Sequence, residues 1–122
     1  MQIARGLHRV GSQIVNSYLI AGHDGVTIID AGLPGYWKLL QAELAAIGKS
    51  LGDVRALILT HGDTDHIGFA ARLHRETGIA AYIHKADTDK TDNISAKFFM
   101  ALSFCCGGCR RLADSTVLCA EC

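Results

Sequence analysis

Apolar and polar residues alternate along the first thirty positions, so that residues 7–10, 14–21 and 26–30 each read as a strand. Gly11-Ser12 separates the first two, and Gly22-His23-Asp24-Gly25 separates the last two as a hairpin turn. An antiparallel meander is the predicted start. After Asp30-Ala31-Gly32-Leu33-Pro34-Gly35 the period changes. Trp37, Leu40, Leu44 and Ile47 recur at helical spacing, which predicts a helix over 36–47 that stops at Gly48. Residues 56–59 are continuously apolar and read as a central strand, 67–77 as a helix closed by Gly78, and 79–83 as a further strand. Ile94, Phe98, Ala101, Leu102 and Cys105 follow a helical stripe again, with Asp92 or Asn93 as N-cap. No regular pattern is readable after Cys106-Gly107-Gly108. Strands alternating with helices predict an α/β layer architecture.

A chain of 122 residues is one domain, long enough to bury about two thirds of its unfolded surface. Apolar residues make up 49% and charged residues 20%, with twelve basic and twelve acidic side chains, which excludes disorder and a general attraction for nucleic acid. The first residues lack a secretory apolar core, and the longest apolar run, 98–106 broken by Ser103, is too short to span a bilayer. A soluble, cytoplasmic protein with no membrane partner is expected. The glycines form neither G-x-G-x-x-G nor a P-loop, and no serine has the context of a nucleophile elbow.

The chemistry concentrates in Thr60-His61-Gly62-Asp63-Thr64-Asp65-His66, between the apolar strand and the second helix. His61, Asp63, Asp65 and His66 place imidazole nitrogens and carboxylate oxygens where a tight loop can aim them at one point, a donor set that suits zinc, iron or manganese. A competing reading makes Asp65 a cap for the helix that follows. Caps, however, do not need two histidines flanking two aspartates, so a divalent metal site is the stronger expectation.

The order of elements, the strand ending Ile29-Asp30-Ala31-Gly32, and the run Thr60 to Gly68 together resemble the metallo-β-lactamase fold superfamily over about residues 3–90. The resemblance implies the N-terminal αβ half of an αββα sandwich, with a mixed sheet that starts as an antiparallel hairpin. The family motif is H-x-H-x-D-H, and this chain shows H-x-D-x-D-H, with Asp63 in place of the second histidine. By that likeness His61 and Asp63 serve one metal position, Asp65 and His66 the other, and Asp65 also orients the attacking water. The resemblance implies one or two ions, zinc first. Asp30 stands where the family has an aspartate at the end of an early strand. It is expected to hydrogen-bond behind a ligand histidine or to anchor a loop, with a plain turn aspartate as the equal alternative. A carboxylate in place of an imidazole shifts preference toward manganese or iron.

The implied activity is attack by a metal-activated water on an ester, thioester, lactone or amide of a small-molecule substrate. The downstream ligands of the family have no counterpart, with His84 a weak candidate and His8, His23 and His74 ordinary histidines. A truncated domain over 3–104, with weak metal binding and little turnover alone, is therefore expected. A second copy or a complementing chain could supply the further donors, which nothing in the sequence itself shows.

All five cysteines lie at 105 or beyond. Cys106, Cys109, Cys119 and Cys122 form C-x2-C twice, nine residues apart, which reads either as a structural zinc knuckle over 105–122 or as an adventitious tail. The knuckle makes the alternative function a non-catalytic metal-binding or interaction module.

Overall fold

The structure, a computed structural model, describes residues 1–84 and 86–87 and the backbone of 99–102. Seven strands follow one another across one sheet in sequence order: β1 (Gln2–Ala4), β2 (Leu7–Gly11), β3 (Asn16–Gly22), β4 (Gly25–Ile29), β5 (Val54–Leu59), β6 (Ala81–His84) and β7 (Phe99–Leu102). The first four pair antiparallel, and β4 to β7 pair parallel. The sheet is mixed and begins with hairpins, as the alternation predicts.

Two helices make the first two parallel crossovers, α1 (Trp37–Ala46) between β4 and β5 and α2 (Ala70–Thr77) between β5 and β6. Crossovers of one hand between successive neighbouring strands deliver both helices to one face. There Trp37, Leu40 and Leu44 of α1 and Leu73 of α2 share a core with Leu19, Ile28, Leu57 and Ile83 of the sheet. The period of two along each strand is visible in the burial: in β4, Val26 and Ile28 are buried while Thr27 and Ile29 are half-buried. Tyr18, Ile29, Ile58 and Tyr82 lie in register across the opposite face. Gly78 ends α2 in the left-handed conformation, φ 73°, donating to the His74 carbonyl.

The structure departs from the pattern at three places. The β1 strand was not expected, since Gln2–Ala4 is short and exposed and is held by pairing with β2. The helix expected over 67–77 begins only at Ala70. The helix expected over 94–105 is overturned at Phe99–Leu102, which pairs parallel with β6 as β7. Short apolar runs carry both periods, and the unpaired edge of β6 decides for strand. Residues 94–98 and 103–105, like the cysteine tail, lie outside the described residues. No helix among the described residues is long and apolar enough to cross a membrane.

Candidate metal centre

The site forms at the carboxyl ends of β4 and β5, the edge at which parallel strands present their loops to ligands. Ile29 stands opposite Ile58 in the parallel register, so the chain leaves both strands side by side, through Asp30 and Thr60. Asp30 N–H donates to the Ile58 carbonyl at 2.8 Å. Among the described residues Asp30 is the only non-glycine with positive φ, 60°, a conformation aspartate tolerates better than most residues.

This conformation turns the Asp30 side chain, 5% exposed, back across the mouth of β5. Oδ1 accepts from Thr60 N–H at 2.8 Å, and the Thr60 hydroxyl lies 3.0 Å from Oδ1 and 2.8 Å from Oδ2. His66 Nδ1–H donates to Oδ2 at 2.9 Å. Asp30 thus bonds both the first residue after β5 and a histidine of the motif. A carboxylate holding Nδ1 leaves His66 Nε2 as the nitrogen free to ligate.

Main-chain bonds zip the two loops together. Ala31 N–H donates to His66 O at 2.6 Å, Gly68 N–H to Gly32 O at 2.8 Å, and Phe69 N–H to Ala31 O at 3.0 Å. The approach is so close that a Cβ on Gly68 would overlap the Gly32 carbonyl oxygen and lie 2.5 Å from the Pro34 nitrogen. The amides of Gly68 and Phe69 serve the neighbouring loop, and α2 begins only after them. Phe69 is the N-cap of α2, without a side-chain capping bond. Asp65 therefore does not cap α2, and the competing reading of the motif as a helix cap fails.

Between Thr60 and the zipped segment, a turn in which His66 N–H reaches the Asp63 carbonyl at 2.9 Å folds the motif on itself. The rings of His61 and His66 come to 3.9 Å between centroids, tilted by 45°. One donor atom each of His61, Asp65 and His66 then lie within 4.8 Å of one another. Two bonds of about 2.1 Å to a shared ion require donors no more than about 4.2 Å apart, so small side-chain adjustments bring this set to coordination distance. Asp63 is adjacent rather than convergent: its Oδ2 is 3.4 Å from His61 Nε2, and its side chain is over half exposed. Asp65 Oδ2 is 3.5 Å from His66 Nε2. Three carboxylates thus gather around two imidazoles, and among the described residues their ion-pair contacts are with those imidazoles. That charge balance and the nitrogen and oxygen donors fit a divalent cation.

The other histidines stand apart from the centre. His84 Nδ1 accepts from Ala86 N–H at 3.2 Å, which places the proton of the neutral ring on Nε2, and it is not in the cluster. His8 pairs with Glu43, His23 with Asp24, and His74 Nδ1 with the Ile79 carbonyl.

The mixed sheet and its sequence have counterparts in known proteins. A sequence profile of the Metallo-beta-lactamase superfamily matches residues 10–98. The chain belongs to the metallo-β-lactamase superfamily. Among its relatives, Probable metallo-hydrolase YflN of Bacillus subtilis is 30% identical over 89 residues, covering 70% of this chain and 34% of that protein. The metallo-β-lactamase GOB-18 from Elizabethkingia meningoseptica superposes with a TM-score of 0.67 at 31% identity, over 73% of this chain and 33% of that one. The class B3 di-zinc metallo-β-lactamase LRA-12 from an Alaskan soil metagenome also gives 0.67, at 27% identity over 73% and 34%. The chain thus spans about a third of the length of these three relatives.

At this candidate site of the metallo-β-lactamase-superfamily chain, Thr60 and Gly68 are the residues whose contacts the motif did not disclose. The available signals were a hydroxyl placed between a buried strand and the first histidine, and a glycine just after the last one.

Proposed function

We propose that His61, Asp65 and His66 hold a divalent metal ion and that the chain belongs to a metal-dependent hydrolase acting on an ester, thioester, lactone or amide. The observation that carries this reading is the convergence of the three donors over a buried carboxylate that already orients His66. The superfamily membership and the metallo-hydrolase and di-zinc relatives support it.

When bound, the ion supplies a water of lowered pKa and positive charge for the oxyanion that develops at the attacked carbonyl. His61 and His66 contribute neutral nitrogen donors, and Asp30 keeps the His66 ring from rotating away. The Asp65 carboxylate, 45% exposed, contributes an oxygen donor and can accept a hydrogen bond from the attacking water, directing its lone pair to substrate. The compact triad makes one ion the minimal occupancy. Asp63, beside His61, is the oxygen donor to which a second ion or a wider coordination shell adds. Zinc is the first candidate, and the carboxylate at position 63 widens the choice to manganese or iron. With three convergent protein donors, waters complete the coordination and affinity is modest.

The test is elemental analysis of protein purified without chelator, as the parent, as Asp65→Ala/His66→Ala and as Cys106→Ser/Cys119→Ser. Metal lost in the first variant and kept in the second supports the reading and justifies a screen of lactone and thioester substrates. Metal lost only in the cysteine variant refutes it in favour of a zinc-knuckle module.

A further inference from the structure

The Thr60 hydroxyl carries one proton and touches two groups that each want to bond with it. Asp30 lies on one side, its two oxygens 3.0 and 2.8 Å from Thr60 Oγ1. His61 lies on the other, its Nδ1 at 2.9 Å from the same oxygen. A carboxylate only accepts, so the hydroxyl proton points at Asp30. His61 Nδ1 must then donate to the hydroxyl lone pair. A neutral imidazole protonated at Nδ1 has its lone pair on Nε2, the nitrogen on the Asp63 side of the ring.

The opposite tautomer sets two lone pairs against each other at 2.9 Å, unless the hydroxyl turns away and leaves the buried carboxylate short of a charge-assisted donor. Rotation of the hydroxyl oxygen is itself restricted. Thr60 is β-branched, and its backbone N–H is clamped to Asp30 Oδ1 at 2.8 Å.

We propose that Thr60 is a positioning residue that holds His61 as the Nδ1–H tautomer, so that one buried carboxylate presents Nε2 of both motif histidines to the centre. Asp30 acts on His66 directly, at 2.9 Å, and on His61 through the Thr60 hydroxyl. The functional consequence rests on the metal site proposed above, but the tautomer itself is a property of the metal-free chain.

The experiment reads the tautomers by two-bond proton–nitrogen correlation on metal-free, 15N-histidine-labelled protein at about pH 8.5, where an ordinary imidazole is neutral. The parent is expected to show both His61 and His66 protonated at Nδ1. In Thr60→Val, which keeps shape and backbone but removes the hydroxyl, His66 stays as it is and His61 loses its fixed tautomer. Zinc affinity, measured against a chromogenic chelator, is expected to fall about 10–100-fold in that variant. Thr60→Ser is expected to restore both readouts.

A parent spectrum with His61 protonated at Nε2, or a folded Thr60→Val that keeps His61 at Nδ1–H, overturns the proposal. If Thr60→Val does not fold, the parent spectrum and Thr60→Ser decide it alone, and a serine variant that loses the tautomer overturns it. Tautomers that respond as expected in a protein that binds none of zinc, manganese and iron leave the positioning role standing and sink the hydrolase reading. Zinc binding with unresponsive tautomers does the reverse.

Discussion

Gly68→Ala drives a methyl group into the backbone of the loop that carries Asp30, and its cost can be worked from the geometry. The new Cβ overlaps Gly32 O and lies 2.5 Å from Pro34 N, and both obstacles are main chain and cannot swing aside. Relief requires the two loops to part by about 1 Å to reach ordinary van der Waals separation. Overpacking of this kind costs about 1–3 kcal/mol. Parting the loops also breaks the Gly68 N–H to Gly32 O bond of 2.8 Å, worth about 1 kcal/mol. The expected destabilisation is therefore roughly 2–4 kcal/mol, a fall in Tm of about 8–16 °C for a domain of this size.

The matched control is Gly35→Ala, where nothing lies within 4 Å of the added Cβ. That substitution is expected to leave Tm unchanged or to raise it, through about 0.4–1 kcal/mol of reduced freedom in the unfolded chain. Circular-dichroism melts of the parent and both variants, recorded with chelator so that metal does not contribute, make the comparison. Because the same zipper holds His66 O to Ala31 N, zinc affinity is expected to fall in Gly68→Ala and to stay constant in Gly35→Ala. If Gly68→Ala melts alongside Gly35→Ala, the close approach of the two loops is not as described and the reasoning fails.

Asp30→Asn preserves side-chain shape and tolerance of the left-handed backbone, but it puts an amide N–H₂ where Thr60 and His66 need an acceptor; zinc affinity is expected to fall about 10–100-fold, and an affinity equal to the parent's counts against the orienting role. Asp63→His is expected to shift metal preference toward zinc over manganese, read as the ratio of the two dissociation constants; an unchanged ratio would mean that position 63 does not reach the metal. Burial by itself raises the pKa of Glu43, but hydrogen bonds from the N-terminal ammonium and His8, and their charge, outweigh it and hold the carboxyl below its ordinary value. A depressed carboxyl contributes stability above the unfolded value of about 4.3 that is lost as pH falls through the lower folded value. Glu43→Gln should therefore flatten the loss of urea midpoint between about pH 5 and pH 3, and a slope as steep as the parent's would be inconsistent with that linkage.

Much of the architecture is legible locally, because burial on one face imposes a period that the chain must carry. Val26 and Ile28 alternate with Thr27 and Ile29, and Trp37, Leu40 and Leu44 line one side of α1. The turn at His23-Asp24 and the stop at Gly78 are equally local, since they depend on the conformational freedom of glycine. The two histidines and two aspartates were visible for the same reason: four donors in six residues share a loop whatever the rest of the chain does.

Tertiary pairing decided the remainder. The register of β4 against β5 brings Asp30 beside Thr60 and, 36 positions along the chain, beside His66, a proximity that no period within either segment encodes. The same meeting of loops makes Gly68 a steric necessity and brings His61, Asp65 and His66 together while Asp63 stands at their edge. At β7 an apolar run compatible with either period became a strand because an edge of β6 was there to pair with it. Periodicity records which side of an element faces the core. The site depends on which ends of elements meet, and that is settled only when hydrogen-bond register between distant segments is chosen by the packing of the whole sheet.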